Sequence, residues 1–432
     1  MRKLFLLLQF GLGTKHIVAQ EYIKEGKNRL NFAKTYFEIG GQFSPAFNGK
    51  RILANNAVTT FENSASIVPY LNVGGLHFWG HADFYISIPL AQLNLKKNDS
   101  TIFQFNQSVV TGARFLPLAY KDNKIRPFIG ASWAVVNFKQ EIKTNGNQPL
   151  FSKNKLFFDG GILYGRGSVM TRLGINFYPT NKWEYPVTKN NFQQIKTPNW
   201  SAYFGLVYAF ESTRSKKMEK ENAKLNEFSK VSSPSMNAIK TGDYFIGIGP
   251  STSFMLTKSE YNESKFPYFN KKPISNTYID VALGYQFNKL GLVTALSFRN
   301  PKFTNDAYGT TQIIKKNSFV VEAYKYLIDY SGFTPYFGLN LAYDNINYSE
   351  KNSTINLDTT YNKITPGITF GWDILPGKTE QWFVLRTNLR WFPFEHINLE
   401  GKEFKLNQIE YNVIQAVFYP SRFKNVKSKI DK

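Results

Sequence analysis

Residues 35 to 420 carry one pattern written twice, and that repeat limits the fold more than any other feature. Tyr36-Phe37 recurs as Tyr244-Phe245, and Pro127-Phe128-Ile129-Gly130 recurs as Pro335-Tyr336-Phe337-Gly338, both 208 positions on. Between them, Val109-Val110 with Arg114 and Leu116 matches Val320-Val321 with Lys325 and Leu327, at a spacing of 211. Gly161-Ile162 and Tyr164-Gly165 match Gly367-Ile368 and Phe370-Gly371, and Arg172 with Tyr178-Pro179 matches Arg386 with Phe392-Pro393. The order is collinear, and the spacing changes at turns, where insertions are tolerated.

Each copy divides into eight segments with strand-like alternation. In the first they lie near 35–43, 68–79, 81–90, 102–116, 126–140, 156–165, 168–178 and 200–210. In the second they lie near 243–256, 276–287, 289–299, 312–327, 333–348, 363–374, 381–392 and 407–419. Ala82, Phe84, Ile86, Ile88 and Leu90 share one face, opposite His81, Asp83, Tyr85 and Ser87. Phe383, Leu385, Leu389 and Trp391 likewise oppose Arg386, Asn388 and Arg390. Period two alone also describes a soluble sandwich with one wet face. The connections separate the two cases. They are short after the second, fourth and sixth segments, at Gly80, Lys121–Lys124, Arg166-Gly167, Asn288, Asp329–Gly332 and Leu375–Glu380. They are long and polar elsewhere, most clearly at 44–67, 180–199, 257–275 and 393–406. Short turns at one end and long loops at the other are the pattern of a transmembrane barrel with its N-terminus in the periplasm. The segments are close to the 9–11 residues that cross a bilayer at a tilt. Trp79, Phe210, Phe287, Trp372 and Trp391 sit near segment ends, as interfacial girdles require.

Composition removes several alternatives. There is no cysteine, so disulfides, thiolate metal sites and cysteine nucleophiles are excluded. Past the N-terminus no apolar run approaches the roughly 18 residues of a spanning helix, so any membrane passage is by strands. The net charge of +22 is spread through nearly every loop and accompanies no nucleic-acid signature. It suits anionic headgroups and lipopolysaccharide phosphate, and no nucleic-acid partner is expected. Residues 1–19, with Arg2 and Lys3 ahead of Leu4 to Leu12 and Ala19 at the end, read as an export signal. Repeat 1 then spans 35–210, a polar periplasmic linker 211–241, repeat 2 242–420, and a basic tail 421–432.

Two short motifs resemble a known class. Arg126-Pro127-Phe128-Ile129-Gly130 and Thr334-Pro335-Tyr336-Phe337-Gly338 resemble the Pro-aromatic-x-Gly strand opening of small porin-like outer-membrane barrels of Gram-negative bacteria. Tyr203-Phe204-Gly205-Leu206-Val207-Tyr208-Ala209-Phe210 resembles their C-terminal assembly signal, whereas Val417-Phe418-Tyr419 lacks the glycine and is followed by a tail. The resemblance implies an all-β, antiparallel transmembrane barrel of about 16 strands, located in the outer membrane and inserted by the barrel-assembly machinery. The preferred closure is a single 16-stranded barrel, with two tandem eight-stranded barrels as the alternative. The linker, the ending at Phe210 and the small or apolar inner residues Gly130, Ser132, Ala134, Gly161 and Met170 favour two.

Charged residues on the presumed inner face are Asp83, Arg114, Asp159, Arg172, Asp280, Lys325, Asp344, Asp373, Arg386 and Arg390. They could line a wet lumen and bias a pore, or pair inside a narrow barrel. A passive pore for small solutes is the first functional expectation. A non-conducting structural or adhesion barrel binding through loops 44–67, 142–155 and 180–199 is the second. A lipid-modifying enzyme using His77, His81 or His396 is the weakest: no Gly-x-Ser-x-Gly elbow, phosphate loop or dinucleotide fingerprint is present. No enzyme activity, cofactor or metal is expected.

Overall fold

A computed structural model describes residues 33–52, 57–94, 102–141, 148–211, 242–287, 290–327, 333–374 and 383–422. The export signal, all of the linker except Glu211, the turns at Asn288, Asp329–Gly332 and Leu375–Glu380, and the tail beyond Arg422 lie outside them.

In chain order, β1 (Lys34–Ser44) is followed by a loop hairpin of β2 (Phe47–Ile52) and β3 (Val58–Asn63). β4 (Ser66–His77), β5 (Ala82–Pro89), the short β6 (Leu93–Asn94), β7 (Ile102–Phe115), β8 (Arg126–Glu141) and β9 (Phe151–Arg166) follow. β10 (Val169–Phe177), a second loop hairpin of β11 (Lys182–Pro186) and β12 (Phe192–Lys196), and β13 (Trp200–Glu211) complete the first copy. The second copy opens with β14 (Asp243–Met255), the single-turn helix α1 (Glu260–Lys265) and β15 (Tyr278–Phe287). β16 (Leu292–Arg299) continues past Pro301 as β17 (Lys302–Ala307), and β18 (Thr310–Tyr326), β19 (Phe333–Lys351), β20 (Asn356–Ile374) and β21 (Phe383–Phe392) follow. A hairpin of β22 (His396–Leu399) and β23 (Lys402–Lys405) precedes β24 (Gln408–Phe418).

The closure corrects the preference for one 16-stranded barrel. β1 pairs antiparallel with β4 along one edge and with β13 along the other, with Ile39 opposite Leu206. β14 pairs in the same way with β15 and β24. Each copy therefore closes on itself as an eight-stranded barrel, joined to the other by the linker alone in the chain. The physical reason lies inside. Eight strands leave room for side chains and no more, and the inner charges taken as a sign of water are paired with one another, as described below.

The barrels are polar within and greasy without. On β13, Phe204, Leu206, Tyr208 and Phe210 are exposed while Tyr203, Val207 and Ala209 are buried. Ile39 is 70% exposed while its neighbour Glu38 is 0% exposed. A water-soluble protein does the reverse, so this surface belongs against hydrocarbon. Closure also pairs the first strand of each copy on both edges, so neither barrel has a free edge at membrane level. The upper limit of the apolar band is visible in the second barrel. Phe319, Tyr343 and Ile364 stand side by side on the outer face, and two residues higher Asn317, Asn345 and Asn362 form the next row. Above that row β18, β19 and β20 continue as a polar sheet, longer than the sequence segments because the apolar alternation stops while the pairing goes on. Phe43 with Trp200 (6.2 Å) and Phe37 with Phe210 (6.1 Å) mark the two ends of the band in the first barrel.

Inside, inward tyrosines lie flat over glycines of neighbouring strands. A Cβ on Gly174 would come within 2.4 Å of the Tyr203 ring, and one on Gly40 within 2.4 Å of Tyr70. These glycines give the rings the space a side chain would take.

The two barrels lie side by side. Outward residues that lipid would otherwise cover, Val135 of the first barrel and Phe254 and Tyr411 of the second, are 8%, 2% and 5% exposed. Trp133 stands edge-on to Phe254 at 4.6 Å and to Tyr411 at 5.4 Å. Above them, Asn270 donates to the Ser152 carbonyl and the Tyr308 hydroxyl to the Pro186 carbonyl, so the loops of both barrels form one extracellular surface.

Candidate functional site

The two interiors and the loop surface above them are the candidate sites. In the first barrel Arg172, on β10, ion-pairs with Glu38 of β1 and with Asp83 of β5, the latter at 2.8 Å. Arg114, on β7, bridges Asp83 (3.2 Å) and Asp159 of β9 (2.5 Å). Tyr36 donates to Asp83 at 2.7 Å, Tyr70 to Glu38 at 3.0 Å and Tyr203 to Asp159 at 2.8 Å. The chain of charges thus runs across the lumen and ties five strands together. Asp83 is 0% exposed and Arg172 1%, the burial of a packed interior.

The second barrel uses different positions for the same purpose. Arg390, on β21, contacts Asp280 of β15 at 2.6 Å and Glu322 of β18 at 2.8 Å. Asp280 also accepts from Asn412 (3.2 Å), and Glu322 accepts from Ser297 (2.8 Å). Arg299 pairs with Glu410. Nearer the periplasm Arg386 grips Asp373 with two nitrogens, at 2.8 and 2.9 Å, and Tyr326 donates to Asp373 at 2.6 Å. Nearer the outside Lys316 joins Asp344 (3.3 Å) to Glu395 (2.7 Å).

Of the ten inner-face charges read from the sequence, Asp83, Arg114, Asp159, Arg172, Asp280, Asp344, Asp373, Arg386 and Arg390 are buried in the two lumens. Lys325 is corrected: it is exposed on the outer face of β18. The matching of Val320-Val321 to Val109-Val110 at an odd spacing placed it beside Arg114. On this stretch of β18 the buried residues are Val320, Glu322 and Tyr324, so the shift is one residue off, and one residue changes the face in a strand. Lys325 lies toward the periplasmic end, where its long stem can carry the ammonium to the headgroups. Glu38, Arg299, Glu322, Lys316 and Glu410 were missed. Glu38 had a clear signal, since Tyr36, Glu38 and Gly40 alternate with Phe37 and Ile39.

The histidines are dispersed. His77 is buried beside Phe84 (5.7 Å), His81 Nδ1 meets the Leu116 carbonyl oxygen at 2.8 Å, and His396 lies in the extracellular hairpin of the other barrel. Among the described residues no group of three or more His, Asp or Glu side chains is arranged to hold a metal.

The mouth of the second barrel is plugged from above. α1 and its flanks bring Tyr261, Phe266, Tyr268 and Phe269 against Ile346, Ile397, Leu399 and Phe404. Glu395, beyond the end of β21, sits under this plug. Burial pushes its carboxyl up to about 7, with Lys316 opposing and Asp344 adding to the rise. The unfolded chain releases this proton near the ordinary value of 4.5 and the folded plug retains it up to about 7. The protonated form therefore favours the fold, and stability falls as pH rises between those values. Urea unfolding at pH 5 and pH 8 should show the second barrel less stable at pH 8, and Glu395→Gln should remove most of that difference.

The sequence matches no protein-family model and no curated protein. Among solved structures, Neisserial surface protein A is 13% identical, with 41% of this chain and 99% of that chain covered and a TM-score of 0.30. Ail, the attachment invasion locus protein of Yersinia pestis, is 15% identical, with 42% and 99% covered and a TM-score of 0.28. An outer membrane channel from Pseudomonas putida F1 is 7% identical, with 90% and 95% covered and a TM-score of 0.20. At these identities and scores the likeness extends to no activity.

Proposed function

We propose that this chain, an outer-membrane β-barrel protein, is a non-conducting pair of barrels that holds up an extracellular binding surface. The observation that carries this reading is the state of the inner charges. Across the middle of both lumens they are buried, paired and tied across strands, whereas ions or solutes need a wet path. Breaking such pairs to open a pore would leave buried charges uncompensated. What remains available is outside. The β11–β12 hairpin, the α1 plug and the β22–β23 hairpin cover the barrels, and β18 to β20 stand above the asparagine row. From Asn356 to Gly367 the outer edge of β20 pairs with no strand among the described residues, since its ladder to β21 begins at Ile368. An unpaired edge in water can accept an extended segment of another protein.

Recordings in planar bilayers test the reading against the passive-pore alternative. The purified full-length protein should give no stable open level. Steady steps of about a nanosiemens, the scale of a wide aqueous barrel, would replace this proposal with the porin reading.

A further inference from the structure

Almost every cation inside the barrels has a carboxylate. The outer mouth of the first barrel departs from that rule. Lys153 and Lys155 are inward positions of β9 two residues apart, and their ammonium groups lie 4.8 and 4.5 Å from the centre of the Trp183 ring. Lys155 is only 5% exposed, and neither lysine forms an ion pair with a described residue. The wall around Trp183 is apolar: Phe47, Val136, Phe138 and Phe151. Around Lys153, the Glu184 carboxylate attracts and Lys271, from the loop after α1 of the other barrel, repels more weakly. The carboxylate at hand, Glu184, lies 3.9 Å from Lys271 and is 67% exposed.

Two ammonium groups thus share one aromatic face in an apolar setting, and a single, largely hydrated carboxylate, itself beside Lys271, faces them. Like charges in such a setting repel, and burying one without a counter-ion is costly. Trp183 offsets part of this through its ring face, but a ring carries no net charge. We propose that Lys153 and Lys155, which share the Trp183 ring, form an oxyanion site that takes a phosphate or sulfate group carried by an extracellular ligand, with Lys271 at its border. This rests on the binding reading given above and names the chemistry it recognises. Short charge-assisted hydrogen bonds from the ammonium groups replace the missing counter-ion. Lys271 comes from the second barrel, so the seam between the barrels borders the site.

Calorimetric titration of inorganic phosphate and of inorganic sulfate into the full-length protein, in a zwitterionic detergent at low salt, tests this. Saturable binding is expected, weakened about tenfold or more in Lys155→Gln and in Lys153→Gln, and less in Lys271→Gln. Lys155→Arg, which keeps the charge, should retain binding and shows that loss in the glutamine variant is not loss of folding. A second arm presents lipid A in nanodiscs. Binding there without binding of the free ions would assign the charge to membrane headgroups and overturn the proposal. So would the absence of saturation in every arm, or equal affinity in Lys155→Gln. Current recorded from the same preparation with phosphate binding intact would instead overturn only the non-conducting reading.

Discussion

Arg172→Ala should destabilise the first barrel by about 3–5 kcal/mol, read as a fall in the urea midpoint of protein folded into phospholipid vesicles. The alanine removes one cation and strands two carboxylates. Glu38 and Asp83 are each 0% exposed, and both ion-pair with this guanidinium. Arg114 remains beside Asp83 but is already engaged with Asp159, and among the described residues no other cation pairs with Glu38. The cost arises from the charges left behind. Combining Arg172→Met with Glu38→Gln and Asp83→Asn should therefore recover a large part of the loss, because a neutral packed interior can be as stable as a paired one. A wet, channel-like lumen would hydrate the carboxylates and make Arg172→Ala nearly silent.

Leu206→Arg tests the opposite face and should cost about 2–4 kcal/mol in a bilayer. Leu206 is 53% exposed, lies at the middle of β13 and stands beside Ile39 of β1, itself 70% exposed. In water, replacing an exposed leucine by arginine changes stability little. Here the side chain meets hydrocarbon, and the penalty measures that environment directly. Lys325 supplies the internal contrast. It already occupies an outer position, but toward the end of β18, where the depth-dependent penalty fades.

The strands were legible in the sequence because hydrocarbon outside and charge inside impose a strict period of two. Phe84, Ile86 and Ile88 against Asp83, Tyr85 and Ser87 needed no partner strand to be read. Closure was not legible in this way. The pairing of Ile39 with Leu206 joins residues far apart in the chain, and local alternation is the same in a barrel of eight strands or sixteen. The assembly-like ending at Phe210 was the relevant hint, and the wet reading of the inner charges outweighed it. Which charges meet was likewise hidden. Arg172 and Arg386 match in the repeat, yet Arg172 crosses the lumen to Glu38 and Asp83 while Arg386 grips Asp373 on the adjacent strand. Lys155 fell just short of the segment begun at residue 156, since Lys153 and Lys155 sit in a polar stretch where the outward residues no longer face lipid. The same change of environment concealed the last three residues of β19 and the first seven of β20.

The absence of native cysteine permits a direct test of closure. Ile39→Cys with Leu206→Cys places two thiols on directly opposed outward positions, within the Cα separation a disulfide spans. Mild oxidation of the membrane-inserted protein should link them in high yield, while Leu206→Cys with Ile246→Cys should not link. Efficient crosslinking of Leu206→Cys to Ile246→Cys, with none to Ile39→Cys, would mean that β13 joins β14 and that the two copies share one larger barrel.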